Sequence, residues 1–60
     1  MFFTINRWKL TGRVVNQALS FKTAGEAEQK GRHDEATYKD QVFERVFEGN
    51  WHEFDELKKR

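Results

Sequence analysis

Apolar and polar residues change their spacing near residue 23. Before it, Phe2, Phe3, Ile5, Trp8 and Leu10, and then Val14, Val15, Leu19 and Phe21, lie among Thr, Asn and Gln in runs rich in strand-forming residues. Thr11-Gly12 separates the two runs. The pattern predicts an antiparallel hairpin of Phe2–Leu10 and Arg13–Lys22, with Val15, Gln17, Leu19 and Phe21 on one face of the second arm. Trp8, Val15 and Leu19, or Val14, Ala18 and Phe21, also recur near helical spacing. An all-α bundle is therefore the alternative.

Beyond residue 22 the pattern turns helical. Thr23 followed by Glu26 fits a capping box and predicts a short helix over Ala24–Lys30, ended by Gly31. The strongest segment is Ala36–Glu48. There Tyr38, Val42 and Val46, with Phe43 and Phe47, form an apolar face at i, i+4 spacing, and Lys39, Asp40, Glu44, Arg45 and Glu48 fill the polar side. Gly49 suits a helix stop. Asn50 with Glu53 three residues on predicts a new start, and so a last helix over Trp51–Lys59. A single helix running through Gly49 is the other reading, because Phe43, Phe47, Trp51 and Phe54 stay in register. The break is preferred, since glycine inside a helix costs about 1 kcal/mol. The expected fold is α+β: one small domain over residues 1–60, an N-terminal hairpin packed by two or three C-terminal helices. Phe43, Phe47, Phe54, Leu57, Trp51, Val42 and Val46 are its expected core.

Composition sharpens this picture. A domain of 60 residues buries only about 60% of its unfolded surface. Cysteine is absent, which removes disulfides and cysteine-bound zinc as staples and fits a reducing compartment. Six Phe, two Trp and one Tyr can supply the missing apolar area. Association with a second copy is the other remedy, and a homodimer is expected on that ground. No window approaches the ~18 apolar residues of a membrane span, and the start lacks the features of a signal peptide. The chain reads as full length, soluble and cytoplasmic, with no membrane partner.

Charge changes the picture most. Residues 1–33 hold six bases and two acids, for +4, and residues 34–60 hold five bases and eight acids, for −3. Such asymmetry speaks about partners rather than fold. The acidic half supplies one candidate surface, Glu44, Glu48, Glu53 and Asp55, for docking on a basic protein. The basic, aromatic N-terminal half supplies another, Arg7, Trp8, Lys9, Arg13 and Lys22, in which cations meet phosphates and rings stack on unpaired bases. Each set also has a simpler explanation: solvated helix faces for the acids, and a charge-protected edge strand for the bases. His33 adjoins Asp34 and Glu35, and His52 and Glu56 are one helical turn apart, but neither pair forms a metal-binding set. No nucleophile has a partner base in sequence, and the glycines do not fit a phosphate loop. No catalytic residue, metal or cofactor is assigned. The sequence thus points to a non-enzymatic modulator or inhibitor of a protein partner, of the kind phages and mobile elements encode. A nucleic-acid-binding accessory protein is the alternative.

Overall fold

The computed structural model describes residues 1–59. The chain runs β1 (Phe2–Trp8), α1 (Ala24–Thr37), β2 (Gln41–Glu48) and α2 (Trp51–Lys58). β1 and β2 pair antiparallel, from Phe2 opposite Glu48 to Trp8 opposite Gln41. The expected α+β class holds. No helix among the described residues is long and apolar enough to cross a membrane.

β1 is central. On its other edge the N-terminal hairpin closes through Gly12, whose φ of 74° is left-handed and suits glycine. The returning arm is irregular. Trp8 N–H donates to Arg13 O at 2.9 Å and Val15 N–H to Asn6 O at 2.8 Å, and Phe2 and Phe21 exchange bonds of 3.0 and 2.8 Å. The continuous strand expected over Arg13–Lys22 is reduced to isolated bridges at Val14 and Phe21.

The main correction is at residues 36–48, expected to be helical. Residues 41–48 form β2 instead, and the first helix extends from the expected Ala24–Lys30 to Thr37. The reason lies in a β-bulge. Arg45 opposes Ile5 and Phe43 opposes Asn6, so Glu44 is an extra residue. The bulge turns strand spacing into the three-residue step Phe43 to Val46, which imitates a helix. Gly31 does not end α1. It lies buried mid-helix, where a Cβ would collide with the Phe43 ring and sit 2.7 Å from Thr4 Cγ2.

Each face of the sheet carries one helix. Phe3 and Ile5 point towards α2. There Phe3 stacks on Phe54 at 4.3 Å between ring centroids and meets Trp51 edge-on at 5.0 Å. Phe3, Ile5, Val14 and Phe54 form the apolar core, with Phe47 and Leu57 packed against it. Of the expected core, Phe54 is fully buried and Phe43, Val46, Phe47 and Leu57 are half-buried, while Val42 and Trp51 are exposed. Thr4 and Asn6 face α1. Thr4 Oγ1 donates to Ala27 O at 2.6 Å, and Asn6 Nδ2 donates to Gly31 O at 3.1 Å and Gln41 Oε1 at 3.2 Å. Two strand residues advance about 6.6 Å and four helical residues about 6 Å, so both bonds form in step. Both expected caps are present. Thr23 Oγ1 accepts from Glu26 N–H at 3.2 Å, and Asn50 and Glu53 complete a reciprocal capping box.

Candidate functional site

The four acidic candidates do not share one surface. Glu44, in the bulge, takes Arg7 Nε at 2.6 Å and lies 3.8 Å from Arg45 Nε. Glu48 ends β2 opposite Phe2, and so lies on the sheet face away from α2. The Glu53 carboxylate accepts Asn50 N–H at 3.0 Å, which makes it part of the α2 cap. Asp55 lies 3.3 Å from Lys58 Nζ on the same helix. Three of the four are thus already engaged within the molecule.

The basic candidates divide along β1. Arg7 is held by Glu44 and donates from Nη1 to Gly12 O at 2.8 Å. Trp8 is half-buried. Lys9 and Arg13 flank the hairpin turn and are exposed. Lys22 lies beyond Phe21, which pairs with Phe2 at the far end of β1. The five strand steps from Phe2 to Arg7 amount to about 17 Å, so Lys22 does not join the others.

Two features emerge that the sequence does not assemble. The first is a basic, apolar tip. Lys9 N–H donates to Asp40 O at 2.8 Å, which ties the turn after β1 to the loop before β2. The tip gathers Lys9, Arg13 and Lys39, none of them in an ion pair among the described residues. It also presents Leu10 at 94% exposure and Tyr38 at 51%. Leu10 is the most exposed of the large apolar side chains, and its side chain buries almost nothing against its own fold.

The second is an open groove of about 290 Å³ between β2 and α2, lined by Phe47, His52, Glu53, Glu56 and Leu57. Phe47 and Leu57 are half-buried and supply an apolar floor. The rim carries the carboxylates of Glu53, which also caps α2, and Glu56, whose exposed partner Lys59 Nζ lies 3.8 Å away, and the Arg45 guanidinium stands over the Phe47 ring at 5.7 Å. Phe47 reaches the groove because it shares the Phe3 face of the sheet. Helical spacing alone sets it in a continuous face with Phe43, which the strand sends to the opposite side. The i, i+4 pair His52 and Glu56 is therefore part of the groove wall. Among the described residues no three His, Cys, Asp or Glu side chains converge on a metal-sized site.

No protein-family model, curated protein or solved structure matches the chain.

Proposed function

We propose that this chain is a small non-enzymatic binding protein, an adaptor or inhibitor, that takes a basic segment of a protein partner in the β2–α2 groove. One observation carries this reading: an apolar floor of Phe47 and Leu57 beside the carboxylates of Glu53 and Glu56. An aliphatic anchor buried there contributes about 1.5–3 kcal/mol. The acidic rim adds association rate and register more than affinity. Selection from a random peptide-display library against the folded protein tests this. Enriched peptides are expected to place Lys or Arg around one Leu, Ile or Phe, and to lose binding to Glu56→Lys. Enrichment of acidic peptides, or binding indifferent to Glu56→Lys, would overturn the reading.

A nucleic-acid reading draws on a different observation, Lys9, Arg13 and Lys39, in no ion pair among the described residues, beside exposed Tyr38. Three cations and one ring make a weak site, since each phosphate contact changes the salt slope by only about 0.7 on single strands. A gel shift with single-stranded DNA that is absent at low salt would eliminate it.

A further inference from the structure

The tip and the groove are complementary to each other. One carries Leu10 among three bases, and the other an apolar floor beside two acids. They cannot meet within one molecule. Phe47 pairs with Phe3 near one end of β1, whereas Leu10 follows Trp8 at the other. The strand between Phe3 and Lys9 spans about 20 Å, in a molecule whose extents are 28 × 24 × 15 Å. Any contact between tip and groove is therefore made between copies.

We infer that a second copy of this chain docks its Leu10 tip into the β2–α2 groove. This inference rests on the groove reading above and makes the chain's own tip a competitor for that site. Each copy offers one tip and one groove at opposite ends, so the contacts either close reciprocally in an antiparallel pair or continue into longer assemblies. Leu10 supplies the apolar anchor. Lys9, Arg13 and Lys39 then lie against Glu53 and Glu56, a pairing that salt screens with a Debye length of about 10 Å at 0.1 M. Self-association so built weakens as ionic strength rises. It also withdraws the groove from other partners as the protein becomes concentrated.

Tip-in-groove docking can be told from a dimer built on any other surface by mixing two variants. Leu10→Glu spoils the tip but keeps the groove, at a side chain with almost no contacts to lose. Glu56→Lys spoils the groove but keeps the tip, and circular dichroism checks its fold, with Glu56→Gln as the milder substitute. Sedimentation velocity is run on the wild type, on each variant alone and on the equimolar mixture. The expected result is a wild-type mass that rises to twice the monomer or beyond with concentration and falls in salt. Each variant alone stays monomeric, and the mixture stops at a 1:1 pair. A monomeric wild type at its highest concentration overturns the inference. So does association of either variant alone equal to the wild type, or a mixture that stays monomeric. Peptide selection reads the groove without reference to self-association. A monomeric wild type that still selects basic, aliphatic-anchored peptides therefore removes this inference and leaves the groove reading standing.

Discussion

Gly31 marks a close approach of helix α1 to the sheet, and its missing side chain is what permits that approach. Alanine is normally better in a helix by about 1 kcal/mol. Here its methyl would strike the Phe43 ring and the Thr4 methyl, the second at 2.7 Å, so packing opposes propensity. Thr4 is fixed by its bond to Ala27 O at 2.6 Å, and β1 is locked between two neighbours, so the backbone has little room to yield. Overpacking of this kind costs about 1–3 kcal/mol, and Gly31→Ala is expected to be destabilising. Gly25, in the same helix, has open space where a methyl would sit, with no atom within 4 Å and no left-handed φ. Gly25→Ala is expected to be neutral or to stabilise by about 0.4–1 kcal/mol. Urea unfolding of the two variants should give midpoint shifts of opposite sign or, at the least, a loss confined to Gly31→Ala.

The elements differ in how openly the chain announces them. α2 is fully legible: Asn50, Glu53 and the Trp51, Phe54 and Leu57 spacing are local signals, and the capping box forms as they predict. β1 is legible as a strand, but its main partner is not, because nothing local tells Phe2–Trp8 to prefer residues 41–48 over the nearer 13–22. α1 is half legible. It has no large apolar residue, so its buried stripe of Ala27, Gly31 and Asp34 looks like an exposed segment. What holds it is hydrogen bonding from Thr4 and Asn6, which periodicity cannot reveal. Asp34 itself stays buried because Lys30 Nζ lies 2.9 Å away and Gln17 Nε2 donates at 3.4 Å. β2 is disguised by its bulge, and the groove is hidden with it, since Phe47 faces α2 only if its segment is a strand. The outer edge of β2 is partly closed by α1: Glu35 Oε2 accepts Phe43 N–H at 3.0 Å, where a further strand would otherwise pair. Glu35→Ala should leave the fold intact while speeding hydrogen exchange of the Phe43 amide relative to that of Arg7, which pairs with β2 on the inner side. Equal protection of the Phe43 amide in both proteins would show that this carboxylate does not guard the edge.

On the scale of the whole molecule, no part has a core of its own. Phe3 and Ile5 come from β1, Val14 from the returning arm and Phe54 from α2, and they form one cluster. Loss of any of these segments therefore exposes the others, and with α1 tied to β1 through Thr4 and Asn6 a single cooperative transition is expected. Thermal unfolding followed by near-ultraviolet dichroism, which reads Trp8 and Trp51, should coincide with the far-ultraviolet signal; separated midpoints would show that α1 or α2 melts independently. The central position of β1 has a further consequence, for the order in which the molecule can be assembled. The strand at residues 2–8 is translated before its ladder partner at 41–48, with the whole of α1 between them. At roughly 5–20 residues per second, β1 spends on the order of seconds as a nascent chain with only an irregular hairpin arm beside it. Long-range pairing of this kind also slows the search for the native fold once the partner is present. During that interval Phe2, Phe3 and Ile5 lack the partner strand, so β1 waits longest for the contacts that complete it.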